Sequence, residues 1–319
     1  MNYALVFPGQ GSQSVGMLGA LIAEHPLIKQ TLIEAEAALG WNVAALIANG
    51  PESELNRTER TQPAMLAAGV GLWRAWRQRV TAPPLALAGH SLGEYTALVA
   101  AGVIEFAAAL RLVELRGRYM QQAVDAEGHR CGMAAVLGLG DDAVEALCTD
   151  CPAPGWLAPA NYNAPGQVVV AGNATGLTWL SGTARARGAR KVVELAMSVP
   201  SHCPIMRLAA ERLAPELAQL AMQKPTLPVI QNLDGGSRDT LRAIREALTQ
   251  QLYRPVRWTA CVRTMHDCGA RAFGECGPGK ALIGLGKRIC TDALWLQLDD
   301  PRLFEHAVAR IAATEDQTT

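Results

Sequence analysis

No apolar run in this 319-residue sequence reaches the roughly 18 residues that a membrane span needs. The chain opens Met1-Asn2-Tyr3 and meets Pro8 and Gly9 at once. A basic n-region and a sustained apolar core are both missing, which speaks against a signal peptide and sets the cytoplasm as the expected compartment. No charge of one sign is in excess: Lys+Arg and Asp+Glu stand at 29 each. That removes the electrostatic footprint of a nucleic-acid or membrane-surface protein. Cys148 and Cys151 form one CxxC, but no second ligand pair stands at zinc-site spacing, so no metal is expected. In a cytosolic chain of this size the eight cysteines read as reduced thiols. Internal repeats and low-complexity segments are absent.

Half of the residues are hydrophobic, enough for a substantial core and against disorder. The length fits two domains, or one large α/β domain carrying an insertion. Short apolar strands are predicted at 3–7, 85–88, 228–232, 271–275 and 293–298. They alternate with helical stretches at 26–47, 63–79, 106–125, 204–222, 238–252 and 255–268, and a final helix ends near 313. This alternation implies a mostly parallel sheet with helices on both faces. The texture changes near 127. Strands at 132–139, 156–161, 167–171 and 190–196, with helices at 141–148 and 174–187, give the order of a split βαβ, ferredoxin-like unit. The predicted organisation is therefore an α/β chain: a large domain from 1–126 and 198–319, and an inserted ferredoxin-like small subdomain at 127–197.

Gly89-His90-Ser91-Leu92-Gly93 is a GxSxG lying between an apolar strand and a helical run. A sharp strand–turn–helix bend lifts a serine Oγ clear of a sheet, and glycines on both sides permit the tight approach. Ser91 is thus a candidate nucleophile. Leu92, at a helix N-terminus, places its N–H where an oxyanion would develop. A serine needs a base. His90 adjoins Ser91 and should point elsewhere; His25, His129 and His306 read as surface residues. His202 follows Val199-Pro200-Ser201 where the small subdomain returns to the large one, and such junctions line clefts. The loop Pro8-Gly9-Gln10-Gly11-Ser12-Gln13 lacks the third glycine of a dinucleotide fingerprint, since Ser14 stands there. It is either a plain turn or a backbone whose amides face a ligand. Arg116, among Leu112, Val113 and Leu115, either holds a carboxylate bidentately or pairs with an acid such as Glu114 or Asp125.

Seven segments together resemble one family, the malonyl-CoA:acyl carrier protein transacylases of type II fatty-acid synthesis. They are FPGQGSQSVGM (7–17), GHSLGEYTALVAAG (89–102), LVELRGRYMQ (112–121), ANYNAPGQVVVAG (160–172), SVPSHCPIM (198–206), QLYRPVRW (251–258) and ECGPGKALIGLGKRI (275–289). The resemblance implies a hydrolase-like large domain. It implies Ser91 as nucleophile and His202 as base, oriented by the backbone carbonyl of Gln251, whose side chain would border the pocket. The amides of Gln10 and Leu92 would form the oxyanion hole, and Arg116 would hold the malonyl carboxylate. Asn161 and Asn163 would help to line the pocket. Malonyl-CoA and acyl carrier protein would be the partners of a monomer that needs no cofactor. Arg185, Arg187, Arg190, Lys191, Lys280, Lys287 and Arg288 are candidates for docking an acidic carrier. A malonate decarboxylase malonyltransferase subunit or a discrete polyketide acyltransferase would share the pocket and differ in the carrier. An esterase would not need the arginine.

Overall fold

The computed structural model describes residues 2–128, 130–195 and 199–312. His129, the first residue of the 198–206 segment, the last of the predicted 190–196 strand and the tail from 313 lie outside them.

Five strands build the larger sheet: β1 (Tyr3–Phe7), β2 (Leu87–Gly89), β7 (Val229–Ile230), β8 (Ala272–Glu275) and β9 (Leu294–Gln297). Their order is β7-β2-β1-β8-β9, and every pairing is parallel. All five residues of β1 are buried, as expected of a central parallel strand covered on both faces. The register sets Phe7 opposite Gly89, and Val6 opposite Glu275. The carboxyl ends of three strands therefore finish level. Sequence-consecutive β1 and β2 are neighbours, while β8 lies on the other side of β1. In open parallel sheets, crevices form outside the carboxyl ends where the strand order reverses in this way.

Among the helices, Thr58–Arg79 and Phe106–Glu127 are the longest and pack against each other. The first starts five residues before the predicted 63, leaving Pro63 inside the helix. There its missing N–H forfeits one helical hydrogen bond. The predicted 26–47 stretch is two helices, Pro26–Leu39 and Val43–Asn49. Gly40 ends the first in the left-handed region, and the Asn42 side chain caps the second. Among the described residues, no single helix is long and apolar enough to cross a membrane.

The smaller sheet holds β3 (Cys131–Leu137), β4 (Leu157–Ala164), β5 (Gln167–Asn173) and β6 (Lys191–Glu194). Its order is β4-β5-β3-β6, antiparallel throughout. Helices Asp141–Thr149 and Ala174–Thr183 connect the strands in the split βαβ pattern. Side chains alternate across this sheet. Ala134, Val136, Val168 and Val170 pack with Val144, Leu147 and Leu180 of the two helices. Met133, Ala135, Val169 and Ala171 turn to the opposite face and meet Cys203 of the larger part. That second face forms one wall of the site. Backbone bonds from Tyr162 to Val256 and from Val256 to Ala160 tie β4 to the larger part.

Candidate active site

Ser91 stands in the turn between β2 and the helix Gly93–Ala100, with φ at 52°. That left-handed conformation is rare and strained for a residue with a side chain. The flanking glycines are obligatory. A Cβ on Gly89 would fall 1.9 Å from the Gly93 carbonyl, and one on Gly93 would fall 2.0 Å from the Phe7 oxygen. The turn is held from below by Asn232, which follows β7. Its Oδ1 accepts from the Ser91 N–H at 2.7 Å, and its Nδ2 donates to the Gly89 carbonyl at 2.7 Å.

His202 has φ at 60° and donates its own N–H to the Leu252 carbonyl. Its Nδ1 lies 2.6 Å from the backbone oxygen of Gln251, the last residue of the helix Leu241–Gln251. A carbonyl only accepts, so Nδ1 carries the proton. Nε2, 2.7 Å from Ser91 Oγ, is then left as an acceptor for the hydroxyl hydrogen. Burial, reinforced by the Arg116 charge, holds the imidazole pKa down at about 3. The histidine is thus a neutral base. The helix C-terminus at Gln251 brings a partial negative charge to Nδ1, where an acid would stand in a triad. Among the described residues, no carboxylate touches the ring.

Arg116 lies on the inward face of its helix with Leu112, Val113 and Met120 and is only 1% exposed. Nη1 donates to Gln62 Oε1 at 2.8 Å. Nη2 faces Gln251 Oε1 at 3.1 Å and Ser91 Oγ at 3.3 Å. Neither candidate acid pairs with it: Glu114 binds Trp41, Arg60 and Arg118, and Asp125 accepts from Gln121. Among the described residues Arg116 has no ion-pair partner, and its Nε has no hydrogen bond. Desolvation lowers its pKa, yet a guanidinium keeps its charge. A buried, unpaired cation 3.3 Å from a serine hydroxyl is built to receive an anion beside that serine.

Gln10 and Leu92 line the same cavity as Ser91, and among the described residues neither backbone amide is matched to an acceptor. His90 N–H donates to Phe7 O at 2.9 Å, holding the loop after β1 against the elbow. The Gln10 side chain accepts from Thr58 Oγ1 at 2.8 Å, and Thr58 Oγ1 accepts from Gln62 Nε2 at 3.2 Å. A cavity of about 150 Å³ is lined by Gln10, Ser91, Arg116, Asn161, Asn163 and His202, with Met120, Met133 and Val169 among its apolar walls. His90 Nε2 sits 2.8 Å from Asn163 Oδ1, and its ring lies against Trp258. It points away from Ser91, as its adjacency in sequence requires.

All eight candidate site residues are therefore gathered around one serine. Gln251 differs from expectation in one respect. Its side chain is not in the cavity lining but lies behind Arg116, with Nε2 donating to the Ser91 carbonyl at 3.0 Å. Three residues escaped the sequence reading: Gln62, Glu94 and Asn232. Each had a faint signal. Gln62 and Glu94 are polar residues heading apolar helical runs, and Asn232 follows a parallel strand at its carboxyl end. Among the described residues no group of three or more His, Cys, Asp or Glu side chains is spaced to hold a metal.

A serine on a strand–helix elbow, a neutral histidine and a free guanidinium over a parallel sheet make this an acyl-transfer type of site. The chain belongs to the acyl transferase domain family, whose sequence pattern matches residues 4–288. Among its relatives is the malonyl CoA-acyl carrier protein transacylase of Escherichia coli K12, 47% identical over 96% of this chain and 99% of that one. The solved malonyl-CoA:acyl carrier protein transacylase of Xanthomonas oryzae superposes with a TM-score of 0.93 at 47% identity, covering 97% of this chain and 99% of that one. A malonyl-transacylase solved in complex with its type II polyketide acyl carrier protein superposes with a TM-score of 0.94 at 42% identity, covering 97% and 100%.

Proposed function

We propose that this chain transfers the malonyl group of malonyl-CoA to the phosphopantetheine thiol of an acyl carrier protein, through a malonyl-Ser91 intermediate. The observation that carries the reading is the unpaired Arg116 guanidinium at 3.3 Å from Ser91 Oγ. An esterase or a neutral-acyl transferase has no use for it. A malonyl thioester places a free carboxylate two carbons from the reacting carbonyl, at the separation the serine and arginine offer.

His202 Nε2 takes the Ser91 proton as Oγ attacks the thioester carbonyl. The oxyanion that forms accepts from the Gln10 and Leu92 amides, helped by the positive end of the helix that starts at Gly93. The imidazolium is stabilised by the Gln251 carbonyl. The tetrahedral adduct collapses, the carbon–sulfur bond breaks, and His202 returns the proton to the coenzyme A thiolate. The carrier's thiol then enters the same cleft, His202 takes its proton, and the steps run in reverse onto sulfur. The base works as one half of a Ser–His dyad.

Intact-mass spectrometry after brief mixing with malonyl-CoA tests this. One malonyl adduct is expected on the native chain and none on Ser91→Ala. An adduct persisting on the variant would remove Ser91 as the nucleophile.

A further inference from the structure

Behind the site lies a buried carboxylate to which the mechanism above gives no part. Glu94, in the first turn of the helix after Ser91, is 1% exposed. Its Oε1 accepts from Gln231 Nε2 at 2.8 Å. Its Oε2 accepts from the Asn232 N–H at 2.7 Å and from Gln251 Nε2 at 3.1 Å. Three donors face it among the described residues. That matches an ionised carboxylate, which only accepts.

Each of two bonds leads to a reacting group. Asn232, fixed by Glu94 through its N–H, holds both the Ser91 amide and the Gly89 carbonyl. Gln251, fixed through Nε2, presents its side-chain oxygen to Arg116 Nη2 and its backbone oxygen to His202 Nδ1. Nucleophile, base and clamp therefore hang on one acid at one remove. The same acid lies one amide away from the Arg116 cation, which has no carboxylate of its own. Burial pushes the Glu94 carboxyl above its ordinary range, and the three donors together with the Arg238 charge pull it back toward the ionised form.

We infer that Glu94 is a positioning residue: its carboxylate sets the placement of Ser91, His202 and Arg116 through Asn232 and Gln251, and its charge offsets that of Arg116 while the His202 imidazolium forms. This rests on the acyl-transfer reading of the site and extends it. Removing the charge leaves Arg116 less compensated, so a malonyl carboxylate binds at least as well, while protonation of His202 becomes harder. The signature is a fall in rate without weaker substrate binding.

Glu94→Gln is the test, because it keeps the shape and removes the charge. Its new amide would face Gln231, whose Oε1 is buried with no partner and can turn to accept. The burst of malonyl-Ser91 in the full-length protein is followed by quenched-flow mass spectrometry, with folding checked by circular dichroism. Expected is a tenfold to hundredfold slower burst, with half-saturation by malonyl-CoA unchanged or lowered. A native burst rate would overturn the inference, as would a slower burst accompanied by a matching rise in half-saturation. Should Glu94→Gln not fold, Asn232→Ser tests the same relay with the same two readouts and the same overturning results. If the native chain itself shows no malonyl-Ser91, it is the proposed function that fails, not the role of Glu94.

Discussion

At the residue scale the site is governed by two buried bases of opposite fate. His202 loses its charge on burial and Arg116 keeps it. The histidine's folded pKa of about 3 lies below its ordinary 6.5, so it is unprotonated in the folded chain through neutral and mildly acid pH. The acid limb that an exposed histidine base would give near pH 6.5 should be missing. Malonyl-enzyme formation measured as kcat/KM is expected to be level from pH 7.5 down to pH 5. A tenfold fall over that interval would show a histidine with an ordinary pKa. The same shift destabilises the fold in acid. Below 6.5 the unfolded chain takes up a proton that the folded chain refuses until about 3. Stability should therefore drop with falling pH inside that window, by roughly 1.4 kcal/mol per pH unit from this group. His90, lowered by burial as well, adds in the same direction, while Glu275, pushed up to about 7 by burial, takes up its proton in the folded chain and opposes them. Comparing urea midpoints at pH 7 and pH 5 between the native chain and His202→Gln reads the His202 share. Under the proposed function Arg116 decides selectivity. Each charge-assisted hydrogen bond contributes about 1.5–3 kcal/mol, so a two-point carboxylate contact separates malonyl from acetyl by roughly two orders of magnitude or more. Arg116→Ala should lose malonyl transfer and narrow that gap. Competition between the two thioesters reads it directly, and an unchanged ratio would refute the clamp.

At the element scale the decisive piece is the elbow between β2 and its helix. A Cβ on Gly93 would fall 2.0 Å from the Phe7 oxygen, which leaves no room for a methyl group, and β1 is the centre of the sheet and cannot move aside. Gly93→Ala should cost about 3 kcal/mol, seen as a lowered urea midpoint, whereas a midpoint within error of native would mean that the elbow is soft. Much of this was legible in the sequence. Apolar runs ending at Phe7 and Gly89 mark the two strands, and the spacing of Leu112, Val113, Arg116 and Met120 marks a buried helical face that contains the arginine. What the sequence hid was the polar layer beneath. Asn232 meets Ser91 at a sequence separation of 141, and Gln62 meets Arg116 at one of 54. Such contacts depend on how elements approach one another, which local periodicity does not encode. The Gln251 side chain was misjudged for the same reason: helix position gives its carbonyl a direction, but only packing puts the amide under the arginine. The break at Gly40-Trp41-Asn42 was legible in kind, a glycine and then a cap, yet easily lost in a run of good helix formers.

At the scale of the whole molecule the site is a seam. One wall comes from the carboxyl ends of the parallel sheet, the other from the free face of the small antiparallel sheet. Arg288 stitches the two, donating to the Pro165 carbonyl and Gln167 Oε1 of the β4–β5 turn. That commitment makes it a poorer docking group than its neighbour Lys287, which is exposed, and Arg187 is similarly taken up by Asp150. If an acidic carrier docks along this rim, Lys287→Glu should raise KM for the carrier several-fold and weaken its salt dependence while leaving kcat alone. Steady-state transfer at two salt concentrations checks this, and an unchanged KM would move the docking surface elsewhere.

The row from Arg116 through Gln62 and Thr58 to Gln10 has a polarity. A guanidinium can only donate, so the Gln62 oxygen must turn toward it, its amide must donate to Thr58, and the Thr58 hydroxyl must donate onward to Gln10. The direction of every link is dictated from the arginine end. Under the proposed function, the tail of a substrate and its reacting carbonyl would then not be read by two independent subsites: the loop offered to the oxyanion is bonded, through Thr58 and Gln62, to the same cation offered to the tail.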